Sequence, residues 1–229
     1  MTRPTAGPRL LHTVASLRKS AGGPSRTVTA LCRELGRLGA KVELLSRDGA
    51  SSDGEEMLMP SAELVRTTLT PPQRPAVVGA LLTAGFRAAI RERCATQELQ
   101  LIHDHGLWLP TNHASVAMAR QLGLPLIISP RGMLEPWALQ HRAWKKRLAW
   151  RLYQHRDLRA ARVLHATSQQ EVENLRRLDL RQPIALIGCG AAQLDAHFHL
   201  GHAALHRCRE FGKFIQRGGV ADIKTAHFL

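Results

Sequence analysis

Short apolar segments alternate with helix-forming segments along most of this chain. The first such unit runs from residue 9 to residue 46, where "RLLHTVASL", a strand candidate with its exit, and the strand candidate "KVELLS" flank a stretch with apolar residues at helical spacing. Pro24 suits the first turn of that helix, and Gly39 suits its end. A strand, a helix and a second strand in this order form a β-α-β unit with parallel strands. The unit therefore restricts the chain to a layered α/β fold.

The alternation continues to about residue 187. Later strand candidates are "LQLIHDH", "LPLIISP", "RVLHATS" and "QPIALIG", and helix-forming segments separate them. Only residues 47–75 differ, because they are rich in Ser, Gly, Asp, Thr and Pro, and they predict a long surface excursion with room for one short strand. We predict a Rossmann-like parallel sheet with helices on both faces, formed by one domain over residues 1–187.

The composition supports a folded domain. The chain has 229 residues and is 44% hydrophobic, which suffices for a packed core. No apolar run approaches the ~20 residues that a membrane-spanning helix needs, and the N-terminus lacks the apolar region of a signal peptide. The four cysteines are widely spaced and form no CxxC pair, which favours free thiols and a reducing cytoplasm.

The formal charge of +14 has two possible explanations. Lysine and arginine concentrate between residues 142 and 181, which suits a phosphate-bearing partner such as a nucleotide-linked substrate, an anionic lipid or a nucleic acid. Solvated helix faces in an arginine-rich proteome explain the same excess. Within this region Trp144, Leu148 and Leu152 are spaced for one side of a long basic helix over residues 137–162. We predict that this side is buried, with docking to an anionic membrane as the alternative.

Ligands of parallel α/β sheets bind at the carboxyl ends of the strands. The loop after the first strand, "SLRKSAGGPSRT", places Gly22 and Gly23 before a helix N-terminus, where exposed N–H groups favour an anion. The alternative interpretation of this loop is a plain tight turn. The loop matches neither the dinucleotide GxGxxG pattern nor the phosphate-binding loop that ends in Lys-Ser/Thr.

The stretch "LIHDHGLWLPTNHAS" places polar residues at the end of another strand. In an extended segment His103 and His105 share one face, and Asp104 points to the other. Two imidazoles on one face could bind zinc with a third ligand, for which His113 is the nearest candidate. There are two alternative interpretations of this stretch. It forms a hydrogen-bonded polar strand end, or it presents a histidine to a ligand.

The loop "SPRGMLEP" follows the next strand. Its Arg131 can present a guanidinium to a phosphate or a carboxylate, or it can order the loop through carbonyl contacts. The sequence alone does not decide between these two roles of Arg131.

Taken together, "AGGPSRTVTALCRELGRLGAKVELLS", "LIHDHGLWLP", "LIISPRGMLEPWAL" and "VLHATSQQEVENLR" resemble the N-terminal domain of the family 4 glycosyltransferases, a retaining group with GT-B architecture. The resemblance implies one half of a two-domain enzyme of the hexosyltransferase type. Such an enzyme transfers a sugar from a nucleotide-sugar donor to a polysaccharide or lipid-linked acceptor with retention of configuration. The N-terminal half is the acceptor side.

The resemblance also implies roles for particular residues. Gly22 and Gly23 would lie beside the donor phosphates as substrate-binding residues, and Arg131 would line the same cleft. His105 would face the transferring sugar as the catalytic residue. Neither a metal nor a cofactor is expected. The implied partners are a nucleotide-sugar donor and a glycan or lipid-linked acceptor. We expect no nucleic acid, and the basic helix allows peripheral contact at an anionic inner membrane face.

The pattern breaks after "PIALI". The family continues with a second Rossmann-like domain, whereas residues 188–229 are too few for one and contain a single glutamate, Glu210, in place of a donor-binding pair. Histidines and cysteines are frequent there, yet their spacing fits no standard zinc finger. We predict a truncated or frameshifted gene, an aberrant tail over residues 188–229, and a chain that lacks the donor site and is inactive alone.

Two other classes compete with this interpretation. A non-catalytic basic α/β module that binds nucleic acid or an anionic surface would also account for the charge. An NAD-dependent enzyme ranks third, because no GxGxxG follows the first strand.

Overall fold

The computed structural model describes residues 7–48, 54–71 and 83–188. Within them, seven parallel strands form one sheet. In chain order these strands are β1 (Arg9–Val14), β2 (Lys41–Ser46), β3 (Val65–Leu69), β4 (Leu101–His105), β5 (Leu126–Ser129), β6 (Val163–Ala166) and β7 (Ile184–Leu186). The parallel sheet predicted from the alternation is confirmed.

Helices connect most of the strands. They are α1 (Gly23–Arg37), α2 (Ala84–Gln97), α3 (Pro110–Leu122), α4 (Pro136–Gln140), α5 (Ala143–Ala149), α6 (His155–Ala160) and α7 (Gln169–Arg177), with a π-helical turn, Trp150–Gln154, between α5 and α6. Pro24 lies in the first turn of α1 as predicted. Gly39 follows the last turn with φ 89°, a left-handed conformation that glycine adopts without strain.

The strand order is β3-β2-β1-β4-β5-β6-β7. The chain therefore builds the sheet outward from β1 in one direction, and then returns to extend it from β1 in the other. The order reverses between β1 and β4, and such a switch point opens a crevice at the carboxyl ends of the strands. The excursion over residues 47–75 supplies β3, the short strand that its composition allowed, as an edge strand beside β2.

Apolar side chains cover both faces of the sheet. One core cluster includes Phe86 and Ile90 of α2, with Leu158 of α6. The cluster on the other face includes Val28 and Leu35 of α1. Because both faces are buried, the strands carry nearly continuous apolar runs, which is the pattern of parallel sheets.

The long basic helix predicted over residues 137–162 is not continuous. Arg142 has φ 52° and separates α4 from α5, and the π-helical turn follows α5. The prediction that Trp144, Leu148 and Leu152 are buried is wrong, since all three are exposed. Their spacing places them on one side of the helical run, but the run packs on the sheet through another side, which includes Leu158.

None of the helices in the described ranges is long and apolar enough to cross a membrane. The tail predicted over residues 188–229 lies outside the described residues beyond Gly188.

Candidate functional site

Three neighbouring strands bring the predicted site residues to one edge of the sheet. In the register of the sheet, Val14 at the end of β1 pairs with His105 at the end of β4, and His105 pairs with Ser129 at the end of β5. The Gly22 loop follows β1, and Arg131 follows β5. The carboxyl ends of β1, β4 and β5 therefore place all three loops at the switch point.

His105 and Arg131 are in direct contact, with Arg131 Nη2 at 3.1 Å from His105 Nδ1. His105 and Gly106 also line a pocket of about 80 Å³. Ala21 and Pro24, the residues on either side of the two exposed glycines, line the same pocket. The structure thus brings Gly22, Gly23, His105 and Arg131 together.

The Gly22 loop leaves the N-terminus of α1 open. Gly22, the residue before the helix, has φ 86° and ψ −144°, and because glycine lacks a side chain it cannot cap the first turn. A Cβ built on Gly22 or Gly23 meets no atom within 4 Å. The Gly22 N–H donates to the Lys19 carbonyl at 3.4 Å. Both glycines are exposed, so an anionic ligand can approach the N–H of Gly23 at this helix end.

Four histidines lie buried behind this edge on one face of the sheet: His12, His103, His105 and His165. The ring centroid of His103 is 4.1 Å from that of His105, 4.9 Å from that of His12 and 5.4 Å from that of His165. The shared face of His103 and His105 is confirmed. His12 and His165 were missed in the sequence, where each stands inside an apolar strand.

One hydrogen-bond chain runs from Arg131 through His105 to His12. Because a guanidinium only donates, His105 Nδ1 must accept from Arg131, and His105 Nε2 then carries the ring proton. Nε2 donates to His12 Nδ1 at 3.0 Å. The proton of His12 is therefore on Nε2, a buried atom without a hydrogen-bond partner among the described residues.

A second chain joins His103 to His165 through Ser129. His165 Nε2 donates to the carbonyl of Ile187 at 3.0 Å, so His165 Nδ1 is the acceptor for the Ser129 hydroxyl at 2.7 Å. The Ser129 oxygen accepts in turn from His103 Nε2 at 2.8 Å. In both chains of hydrogen bonds, each histidine ring needs a proton on only one of its nitrogens, so a neutral imidazole makes all of these contacts.

Burial lowers the pKa of all four histidines, and the charge of Arg131 adds to the effect. The pKa falls to about 3 for His12 and for His165. It falls well below the ordinary value for His103 and His105. The cluster is therefore neutral at pH 7, and Arg131 supplies its positive charge.

Asp104 faces the opposite side of β4 from these histidines. Its carboxylate accepts from Thr13 Oγ1 at 2.6 Å and from Asn112 Nδ2 at 2.8 Å, which ties β4 to β1 and to the first turn of α3. Burial raises the pKa of Asp104 to about 7, against the lowering effect of these hydrogen bonds. Asp104 thus braces the strand that presents His105.

Three of the four histidines lie close enough together to share a metal ion. Ligand nitrogens of His12, His103 and His105 all lie within 4.8 Å of one another, so the third histidine in reach is His12. His113, the predicted third ligand, instead contacts Asp157 at 2.7 Å. A cation bound here would have to displace the His105–His12 hydrogen bond beside the positive charge of Arg131. The arrangement therefore favours a neutral hydrogen-bonded network over a metal centre.

The loop that carries Arg131 is strained and is held by α7. Arg131 has φ 56° and Gly132 has φ 75°, and the left-handed conformation costs a non-glycine residue about 1–2 kcal/mol. Glu171 of α7 accepts from the backbone N–H of Gly132 at 2.8 Å, and Asn174 donates to Glu135 at 2.8 Å. Contacts from another helix thus maintain the conformation that brings Arg131 to His105.

The sequence "SQQE" predicts Ser168 as the N-cap of α7 and places Glu171 at the capping-box position. The N-cap is confirmed, because the Ser168 hydroxyl accepts from the N–H of Glu171 at 3.1 Å. The reciprocal contact, from the Ser168 N–H to the Glu171 carboxylate, is not formed. The Glu171 carboxylate binds the N–H and the hydroxyl of Thr167, as well as Gly132, so it connects the helix to the Arg131 loop.

Residues 22–190 match the family model of the glycosyl transferase 4-like domain. No curated protein matches the chain in sequence.

Solved structures share the fold at low sequence identity. Sucrose-phosphate synthase from Thermosynechococcus elongatus is 20% identical with a TM-score of 0.62, over 87% of this chain and 52% of that one. UDP-GlcNAc 2-epimerase from Methanocaldococcus jannaschii, in complex with UDP-GlcNAc and UDP, is 13% identical with a TM-score of 0.53, over 79% and 46%. An Anabaena protein in complex with UDP and glucose is 16% identical with a TM-score of 0.51, over 80% and 44%. The chain thus spans about half the length of these proteins.

Proposed function

Since the chain belongs to the glycosyl transferase 4-like domain family, we propose that it is the acceptor-side half of a retaining glycosyltransferase. The reaction is the transfer of a sugar from a nucleotide donor to a polysaccharide or lipid-linked acceptor. Two structures of similar fold hold UDP together with a sugar or a UDP-sugar, which supports a nucleotide-sugar donor.

The observation that carries this proposal is the shared pocket of the Gly22–Gly23 loop and His105, with Arg131 bound to His105. When a sugar leaves its nucleotide, negative charge gathers on the departing diphosphate. N–H groups and a cation directed at that charge stabilise the transition state more than the ground state. We assign this role to Gly22 and Gly23, which lie between the pocket-lining residues Ala21 and Pro24, and to Arg131, which contacts the pocket-lining His105.

We assign His105 to the transferring sugar. Its Nδ1 is an acceptor atom that Arg131 occupies in this structure, and a sugar hydroxyl can donate to the same atom when Arg131 turns toward the diphosphate. The hydrogen bond to His12 holds the ring in the orientation that this role requires. His105 is neutral, so it positions the sugar and does not add charge to the site.

We also propose how the chain is divided into domains, where it works and what it binds. Residues 1–187 form the glycosyltransferase domain, and residues 188–229 are a tail without the donor-binding half. This chain alone therefore binds nucleotide-sugars weakly or not at all. It works in the cytoplasm without a metal or another cofactor, and its partners are the donor, the acceptor and no nucleic acid.

The test joins residues 1–187 to the second domain of a family 4 glycosyltransferase and measures sugar transfer from UDP- and GDP-sugars. We expect transfer by the fusion, and a loss of about 10²–10³-fold in kcat for Arg131→Gln, as for the removal of one oxyanion-type donor. His105→Ala should also lose most of the activity, whereas His141→Ala, on an exposed turn, should retain it.

Titration calorimetry on the unfused chain completes this test. We expect no micromolar affinity for UDP- or GDP-sugars, and such an affinity would contradict the assignment of the donor site to another domain. A fusion that is folded but inactive with every donor, or an active His105→Ala fusion, would contradict the proposed site. Steep salt-dependent retention of the chain on DNA would favour the alternative of a basic binding module.

A further inference from the structure

An apolar ridge lies exposed on the helical run that follows the Arg131 loop. We define the ridge as Trp144, Leu148 and Leu152, whose exposed fractions are 67%, 52% and 64%. Large apolar side chains are seldom this exposed in a contiguous group without a binding role.

The ridge does not belong to the core of this domain. None of the residues of α5 is buried, and the run packs against the rest of the domain through later residues such as Gln154 and Leu158. Residues 144, 148 and 152 follow one another at intervals of four, which places them along one side of the run. That side points away from the packed side.

Basic residues surround the ridge. Between residues 136 and 156 the sequence has six lysines and arginines and no aspartate or glutamate. Five of the six are exposed, namely Arg142, Lys145, Arg147, Arg151 and Arg156. The surface thus combines apolar side chains, a tryptophan among them, with an uninterrupted positive charge.

From this combination we propose that the run from α5 to α6 docks the domain on an anionic lipid bilayer. A helix with apolar residues on one side and lysine or arginine beside them lies in the plane of the membrane interface, where the apolar side enters the headgroup region. Anionic headgroups attract the flanking basic residues. Tryptophan is favoured at this depth, because its ring is apolar and its N–H is polar.

Charge complementarity selects the bilayer over a second copy of this chain. A copy would bring its own excess of +14 to the contact, and its basic run would oppose the same run. The proposal does not depend on sugar transfer, since it rests on a surface outside the pocket of His105.

The experiment is sedimentation of the full chain with vesicles of phosphatidylcholine alone and of phosphatidylcholine with 30% phosphatidylglycerol, a composition chosen to be about as anionic as a charged leaflet. We expect binding to the anionic vesicles that weakens with salt and is accompanied by a blue shift of tryptophan emission. Trp144→Ser combined with Leu148→Ser should weaken binding on the order of 30-fold, because two apolar side chains no longer enter the interface.

A charge variant, Lys145→Gln with Arg147→Gln, should weaken binding about 10- to 30-fold, at ~1 kcal/mol for each basic residue near the surface. Matched controls are Arg91→Gln with Arg120→Gln, which removes two exposed charges from α2 and α3, and Met59→Ser, which removes an exposed apolar side chain elsewhere. These controls should bind nearly as the unchanged chain does.

Circular dichroism establishes that each variant is folded before binding is compared. Equal losses in the ridge variants and the controls would overturn the proposal, and so would equal binding to neutral and anionic vesicles. Absence of vesicle binding would also overturn it. A dimer in analytical ultracentrifugation that the ridge variants dissociate would assign the ridge to a second copy instead.

Discussion

The four buried histidines behind the site give the domain a defined response to acid. Each has a pKa below its ordinary value in the folded state, so each binds a proton in the unfolded chain at a pH where the folded chain binds none. Unfolding therefore takes up protons below pH ~6.5, and the free energy of unfolding decreases as the pH falls from there.

Asp104 has the opposite effect. Its pKa is raised to about 7, so the folded state holds a proton that the unfolded state has released, and stability decreases as the pH rises from ~4 toward 7. Between pH 5 and 7 four histidines act against Asp104 and against Glu43, whose pKa burial also raises. We therefore expect a net loss of stability on acidification over this interval.

His12→Asn tests the contribution of one histidine. The Asn oxygen can accept from His105 in place of His12 Nδ1, and the substitution removes a titratable group, while the amide NH₂ replaces the buried Nε2–H of the imidazole. We expect the decrease in unfolding free energy between pH 7 and 5 to become shallower by up to ~1.4 kcal/mol per pH unit, as measured by urea unfolding.

The control is His141→Asn, on an exposed turn, which should leave the pH dependence unchanged. If the two variants show the same slope as the unchanged chain, then His12 is protonated alike in the folded and unfolded states, and the description of the network as neutral is wrong.

At the scale of elements, α7 holds the Arg131 loop through one carboxylate. Glu171 accepts from the N–H groups of Gly132 and Thr167 and from the Thr167 hydroxyl, and its side chain is buried. In Glu171→Gln the amide NH₂ replaces one acceptor oxygen and faces a backbone donor. We expect a loss of about 1–3 kcal/mol in unfolding free energy, the cost of a buried donor without an acceptor.

Glu173→Gln is the matched control, because this residue lies on the same helix and is half exposed. Its unfolding free energy should stay within about 0.5 kcal/mol of the unchanged chain. Equal values for the two glutamine variants in urea unfolding would show that Glu171 does not hold the loop.

Most elements follow from the sequence because the parallel sheet leaves a direct signal. Strands buried on both faces are continuous apolar runs, and helices between them carry apolar residues at helical spacing. The break at Arg142 has no such signal, because arginine is neither glycine nor proline, the residues that usually mark the end of a helix in a sequence. The spacing of Trp144 and Leu148 likewise marks one side of a helix without saying whether that side meets the core or solvent.

The sequence also predicts part of the site, namely which residues lie at the carboxyl edge of the sheet. Residues that follow strands β1, β4 and β5 must meet at one edge if the sheet is parallel, so the position of His105 beside Arg131 follows from topology. The histidine network depends on lateral register, which the sequence does not state. His12 lies beside His103 because residues 12 and 103 are register partners, and no local pattern in "RLLHTV" indicates this.

At the scale of the whole molecule, the hydrogen bonds of the sheet extend one residue past its last strand, β7, to Ile187. The N–H of Ile187 donates to the carbonyl of Ala166, and the carbonyl of Ile187 accepts from His165. The β7 edge is thus connected to the buried histidines behind the site. We propose a domain boundary just after residue 187, where the composition of the sequence changes.

Two shortened chains test this boundary by thermal unfolding. A chain of residues 1–188 retains β7 and both contacts of Ile187, so we expect a Tm within about 2 °C of the full chain. A chain of residues 1–182 lacks β7, exposes the edge of β6 and leaves His165 Nε2 without its acceptor. The unpaired buried N–H alone costs about 1–3 kcal/mol, and the lost strand adds to it. A Tm for residues 1–188 as low as that of the shorter chain would instead place part of the following segment inside the folded domain.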